Sequence, residues 1–212
     1  MWKVRYKINS KLSDVELASF PCSYSTAENL LNRANVGVGD VVLVTGASGG
    51  VGSAAIQLAK ARGAQVIGVT SSSKANKLLS LGADRTLDRN ASLVDELGKS
   101  RVEVVIDLVA GKQWPDFLEV LKPFGRYAVA GAIAGPLVGL DVRTLYLKDL
   151  SLFGCTVLDE IVFSNLIKHI ETGMVSPVVA HTFSLSEVPE AQKQFETKGH
   201  IGKLVIDISS KE

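Results

Sequence analysis

The stretch Val41-Val42-Leu43-Val44-Thr45-Gly46-Ala47-Ser48-Gly49-Gly50-Val51-Gly52 decides how the rest of the chain is read. Four consecutive apolar residues make a strand buried on both faces. A glycine-rich turn follows. Ser53-Ala54-Ala55-Ile56-Gln57-Leu58-Ala59-Lys60 then reads as a helix, with Val51, Ala54, Ala55, Leu58 and Ala59 forming one apolar stripe. Strand, glycine turn and helix in this order can hold a pyrophosphate. The glycines let the backbone bend tightly and approach the phosphates, and the helix start offers unpaired N–H groups and the positive end of its dipole. Gly46, Gly49 and Gly52 are spaced G-x-x-G-x-x-G. That spacing alone is weak, because any tight strand-to-helix turn favours glycine. Its weight comes from the strand before it, the helix after it and a second strand on time, and it points to dinucleotide binding.

Working outward, strands are expected at Val41–Thr45, Gln65–Thr70, Arg85–Leu87, Val102–Leu108, Arg126–Ala130 and Ser151–Cys155, with helical patterns between most of them, including Lys74 to Leu81 and Lys112 to Leu121. This alternation predicts an α/β fold: a doubly wound, parallel, six-stranded sheet with helices on both faces and a ligand at the switch point. The ends differ. Lys11 to Leu31 is helical in parts and broken by Pro21. Asp159 to Glu171 and Glu187 to Phe195 read as helices, and Val178–Phe183 and Lys203–Ile208 as strands. We place a lead-in segment at 1–35, the sheet domain at 36–172 and a returning segment at 173–212, with the two ends forming a partial second unit.

Composition narrows the partners. The 212 residues are 46% hydrophobic, and 23 basic residues against 22 acidic leave a net charge of +1. Nothing here attracts nucleic acid or an anionic membrane. No apolar run approaches the ~20 residues that span a bilayer, and Met1-Trp2-Lys3-Val4-Arg5-Tyr6 has no signal-peptide character. Two cysteines, Cys22 and Cys155, make no disulfide framework. A cytoplasmic protein is the expectation.

The second strand ends at Val69-Thr70, and Ser71-Ser72-Ser73-Lys74 follows. An acidic residue at this point would hold the ribose hydroxyls of NAD. None is present. Three hydroxyls and a lysine suit a 2′-phosphate instead, which favours NADP(H) over NAD(H). The plainer alternative, Ser73 as a helix cap beside a solvated Lys74, is compatible with it.

These residues resemble the medium-chain dehydrogenase/reductase superfamily, which includes zinc-type alcohol dehydrogenases and quinone oxidoreductase-like proteins. The resemblance runs from about Ala18 to Ile208. It is carried by Gly39-Asp40-Val41 through Gly52, Ala59-Lys60-Ala61-Arg62-Gly63-Ala64, Leu81-Gly82-Ala83-Asp84, Asp107-Leu108-Val109-Ala110-Gly111, Leu121-Lys122-Pro123-Phe124-Gly125-Arg126 and Gly202-Lys203-Leu204-Val205. It implies hydride transfer between a nicotinamide cofactor and an alcohol, aldehyde, ketone or quinone. Gly46, Ser48, Gly49, Gly50, Val51 and Gly52 would hold the pyrophosphate. Ser71, Ser72 and Lys74 would face the 2′-phosphate, with Arg89 near the adenosine ribose. Val109, Gly131 and Ala132 would line the nicotinamide ribose. Asp107 is either part of that site or a turn cap, and Lys203 either touches the cofactor or is surface charge.

In Pro21-Cys22-Ser23-Tyr24-Ser25-Thr26-Ala27 the resemblance makes Cys22 a zinc ligand and Thr26 a residue packed near the nicotinamide; the alternative is that Cys22 is a small buried residue. The family's N-terminal lobe, with a first zinc cysteine and a Gly-His-Glu motif, has no counterpart in the 212 residues, and His169, His181 and His200 all fall in other contexts. A catalytic zinc needs about three protein ligands, so no tight zinc is expected in this chain and the chain alone is expected to be inactive. It reads as a fragment of an oxidoreductase or a shortened relative. The resemblance also implies a homodimer through an edge strand near Ser151–Thr156. Three functions stay open: part of a zinc-type alcohol dehydrogenase, part of a zinc-free quinone or enone reductase, or an NADPH-binding module without catalysis.

Overall fold

A computed structural model describes residues 6–209. In chain order the elements are α1 (Asp14–Ala18), α2 (Pro21–Arg33), β1 (Val41–Val44), α3 (Gly50–Ala61), β2 (Gln65–Thr70), α4 (Ala75–Ser80), β3 (Arg85–Asp88), α5 (Leu93–Leu97), β4 (Val102–Asp107), α6 (Trp114–Val120), β5 (Leu121–Val129), α7 (Val142–Leu147), β6 (Ser151–Gly154), α8 (Glu160–Glu171), β7 (Val179–Ser184), α9 (Val188–Thr197) and β8 (Lys203–Asp207). β1 to β6 form one parallel six-stranded sheet in the order β3-β2-β1-β4-β5-β6. β7 and β8 pair in a small parallel sheet of their own. The strand order reverses between β1 and β4. A crevice must open there, beyond the carboxyl ends of both strands.

The apolar runs sort onto two faces because side chains alternate along a strand. Val42 and Val44 of β1, with Val104 and Ile106 of β4, pack against α2, α3 and α8 through Leu30, Ala54, Leu58 and Leu166. Leu43 and Val105 point the other way, toward Leu93, Phe117 and Leu118. Both faces are therefore dry, and β1 tolerates no polar position.

Pro21 breaks the N-terminal helical run by taking the first position of α2, where its missing N–H costs nothing. α1 rests against β8, bringing the two ends of the described chain together. β5 starts five residues earlier than Arg126, at Leu121. Pro123 and Gly125 look like turn residues in sequence, but they sit in an irregular entry where the pairing with β4 shifts between Val102 and Val104. The short α5 and α7 carry too few turns to show a stripe. They start on the side-chain caps of Ser92 and Asp141.

One charged pair pins the helical layer. Glu28 of α2 is fully buried, and its carboxylate accepts hydrogen bonds from Arg62 at the end of α3 (2.6 Å) and Asn165 of α8 (3.2 Å). Removing one partner of a buried pair strands the other charge. Arg62→Met should therefore lower unfolding free energy by about 3–5 kcal/mol in urea titration. Lys60→Met, which breaks the half-exposed pair with Asp84, should cost about 1 kcal/mol or less.

Candidate cofactor site at the carboxyl ends of the sheet

The turn after β1 is built by backbone contact. Thr45 N–H donates to Ile106 O (3.0 Å), Ala47 N–H to Val69 O (3.2 Å) and Gly49 N–H to Gly46 O (3.0 Å), so the turn is tied to β4 and β2 on either side. Gly46 has φ +56°, a conformation that side chains disfavour. At Gly52 a methyl group would lie 2.3 Å from Gly46 O and 2.6 Å from Ala47 Cα, so α3 begins pressed directly on the turn. At Gly49 the nearest atom to such a methyl is 3.4 Å away. The turn is thus sealed at Gly52 and open at Gly49. The first intrahelical bond of α3 runs from Ser53 N–H to Gly49 O (2.9 Å). The amides of Gly50, Val51 and Gly52 precede it and have no acceptor within the helix.

Asp107 closes the far side of the crevice. It is fully buried, and it accepts from Thr45 Oγ1 (2.5 Å), Tyr127 OH (2.5 Å), Val109 N–H (2.9 Å) and Ala110 N–H (3.1 Å). Thr45 Oγ1 in turn accepts from Leu108 N–H (2.9 Å). Of its two sequence alternatives, the turn cap is what the geometry displays. Burial first, and the Asp107 charge second, push the Tyr127 phenol well above its ordinary pKa, so it stays a donor. Gly131 lies so close to Leu108 that a methyl would meet Leu108 O at 2.7 Å. Gly131 and Ala132 line an open cleft of about 450 Å³ together with Arg33, Val129, Cys155 and Val157, among others. Val109 lies elsewhere, with its side chain over Gly46.

The turn after β2 is more occupied than its sequence suggests. Ser72 donates from N–H (3.2 Å) and Oγ (2.6 Å) to Asp88 Oδ2, at the end of β3. Ser71 Oγ is 3.2 Å from Ser73 Oγ, and neither these serines nor Lys74 makes a side-chain helix cap. Lys74 Nζ donates to Lys198 O (2.6 Å) and His200 O (3.0 Å). Burial, then Arg89, lowers the Lys74 pKa. The Arg89 side chain makes no hydrogen bond or ion pair among the described residues. Thr70 Oγ1 is buried without a partner at the same strand end. The segment holding Lys74 continues across the glycine turn: Gly202 N–H donates to Ser48 O (3.2 Å), and the Lys203 side chain packs on Gly50. Asp88 and the Lys198 and His200 carbonyls were not identified from the sequence, because each is joined to the site only by chain-distant contacts.

Cys22 is exposed on the first turn of α2, so burial does not account for it. Its neighbour Ser23 packs against Gly50. Thr26 gives its hydroxyl to Cys22 O (2.8 Å), which leaves it packing surface rather than a free donor. Among the described residues no group of three or more His, Cys, Asp or Glu side chains could hold a metal. Cys155 is buried, which pushes its thiol pKa up. Burial lowers the pKa of His169 and of His200, the latter helped by Lys74 and Lys203. No helix among the described residues is long and apolar enough to cross a membrane.

Comparison with known proteins agrees with this geometry. Residues 50–172 match the family model described as zinc-binding dehydrogenase. The acryloyl-coenzyme A reductase of Metallosphaera sedula is 33% identical over 94% of this chain and 60% of its own length. The quinone oxidoreductase of Pongo abelii is 29% identical over 95% of this chain and 65% of its own. A solved structure from Sinorhizobium meliloti, provisionally assigned as an alcohol dehydrogenase, superposes with a TM-score of 0.89 at 45% identity, over 94% of this chain and 57% of that one. The chain belongs to the zinc-binding dehydrogenases of the medium-chain dehydrogenase/reductase superfamily, and it carries their nicotinamide-cofactor domain. It spans 56–65% of the length of the curated relatives named first among its matches.

The contrast between the two glycines is testable by thermal and urea unfolding. Gly52→Ala should cost roughly 1–3 kcal/mol of stability through forced backbone displacement. Gly49→Ala should change stability by less than about 0.5 kcal/mol.

Proposed function

We propose that this chain is the NADP(H)-binding portion of an oxidoreductase that moves hydride between the nicotinamide and an alcohol or carbonyl substrate, in the manner of a zinc-type alcohol dehydrogenase. The observation that carries this reading is the turn open at Gly49 and sealed at Gly52, followed by three helix-start amides without an acceptor in the helix. This cradle fits a diphosphate: Gly50, Val51 and Gly52 would hold it by backbone amides, with Ser48 and Gly49 giving it room at the turn and the adjacent Gly46 shaping the bend. Lys203, packed on Gly50, adds a positive charge at its rim. Ser71, Ser72, Lys74 and Arg89 surround the adenosine end, where two cations favour a 2′-phosphate. Gly131 and Ala132 would border the nicotinamide ribose in the cleft beyond β5 and β6, with Val109 behind Gly46 and Thr26 giving packing surface. When bound, the nicotinamide supplies the hydride acceptor or donor. The chain would position it.

The residues present do not fit a catalytic zinc. Such a site takes three protein ligands, and the described residues offer Cys22 as one candidate. In a longer protein the exposed Cys22 thiol would be available to a metal completed by other ligands. A second reading is favoured by the similarity to acryloyl-coenzyme A reductase and quinone oxidoreductase: hydride addition to a conjugated carbonyl without metal. The substrates on either reading are alcohols, aldehydes, ketones or quinones. We also infer a homodimer. β6 is an open sheet edge, and Leu147, Leu152 and Val157 lie exposed near it.

Two measurements check these readings. Calorimetric titration should show NADPH binding to the chain, and Gly49→Asp should weaken it by roughly tenfold or more through repulsion of the diphosphate. Unchanged affinity would refute the cradle. Light scattering should give twice the chain mass, and Leu152→Glu should halve it. A monomeric parent chain would refute the edge-strand dimer.

A further inference from the structure

The turn after β2 holds no acid of its own, yet the structure supplies one from the adjacent strand. Thr70 and Asp88 are register partners at the ends of β2 and β3, and Arg89 N–H donates to Thr70 O (2.8 Å), so the two strand ends form one surface. A carboxylate there has the chemistry to accept the two hydroxyls of an unphosphorylated adenosine ribose. Asp88 is not free to do so. Its Oδ2 accepts both the N–H and the hydroxyl of Ser72, and its Oδ1 accepts Asn90 N–H (2.9 Å). Three of roughly four acceptor positions on the carboxylate are therefore filled from its own turns.

The cations divide as well. Lys74 gives two of its hydrogens to the strap carbonyls of Lys198 and His200, so it acts on a phosphate by charge and holds the strap by geometry. Arg89 has its whole guanidinium unengaged among the described residues. A planar fork of donors suits a phosphate better than a point charge does.

We propose that Ser72 and Asp88 form the selectivity element of the adenosine end. By occupying the carboxylate, Ser72 withholds the acceptor that an unphosphorylated cofactor would use and turns its charge back into the β2–β3 surface. Arg89 is then left to meet the 2′-phosphate. Asp88 is thus a latent NAD(H)-type acceptor, and Ser72 keeps it latent. This inference rests on the cofactor reading above and extends it to which residue decides between two cofactors that differ by one phosphate.

The experiment is titration of the 212-residue chain with NADPH and with NADH, followed by nicotinamide fluorescence, in the parent and in Ser72→Ala, Ser72→Thr, Asp88→Asn and the Ser72→Ala/Asp88→Asn double variant. A charge-assisted hydrogen bond to a ribose hydroxyl is enough for Ser72→Ala to shift the NADPH-to-NADH affinity ratio toward NADH by roughly tenfold. Ser72→Thr, which keeps the hydroxyl, should hold the parent ratio. Asp88→Asn should move the ratio toward NADPH, and adding Ser72→Ala to it should change nothing more, because the two act as one unit. The ratio is insensitive to a general loss of stability, which would weaken both cofactors alike. Ratios within twofold of the parent in both Ser72→Ala and Asp88→Asn, with NADPH still bound, would overturn this inference alone. Failure of the parent to bind either cofactor would overturn the cofactor reading and this inference with it.

Discussion

A buried carboxylate is costly unless its lone pairs are filled, and Asp107 fills them from three directions. Thr45 reaches it from the end of β1, Tyr127 from β5, and the amides of Val109 and Ala110 from the turn that follows β4 itself. The strand ends on either side of the crevice are thereby locked to one another. Ala110 is held at φ +54°, a conformation disfavoured for a residue with a side chain. The hydrogen bond from Ala110 N–H to the Asp107 carboxylate holds it there. The glycine turn begins one residue past Thr45, so its position over the crevice follows from this network. Every later feature of the site is laid on that platform.

Much of the platform could be read from the chain. The run Val41 to Val44 has no polar break, because both faces of β1 are covered. Gly46 and Gly52 are glycines for steric reasons that a spacing pattern reflects well: one needs its positive φ and the other has no room for a methyl. Gly49 matches the same spacing for a different reason, since nothing in the fold crowds it. Spacing alone does not distinguish these roles. The doubly wound, parallel six-stranded sheet followed from the alternation of elements, whereas the entry to β5 did not, because Pro123 and Gly125 imitate a turn.

The turn after β2 was the least legible region. The hydroxyls and the cation of Ser71 to Lys74 are plain in the sequence, but the partners they already have are not. Asp88 arrives through strand pairing, and the carbonyls that engage Lys74 arrive from the far C-terminal segment. Neither leaves a local signature in sequence. Cys22 shows the reverse. Its surroundings in sequence suggested two fates, a ligand or a buried filler, and its exposure removes the second.

The strap that runs over the glycine turn has a consequence for how this chain acquires its shape. The contact from Gly202 to Ser48 joins residues roughly 150 positions apart, so it forms only after a very long loop has closed. A half-synthesised polypeptide could lay down β1 and α3 early, from local interactions. The rim against which Gly50 packs would still be missing. The rim of the glycine turn therefore depends on a contact of high sequence separation, even though its most recognisable motif lies in the first quarter of the chain.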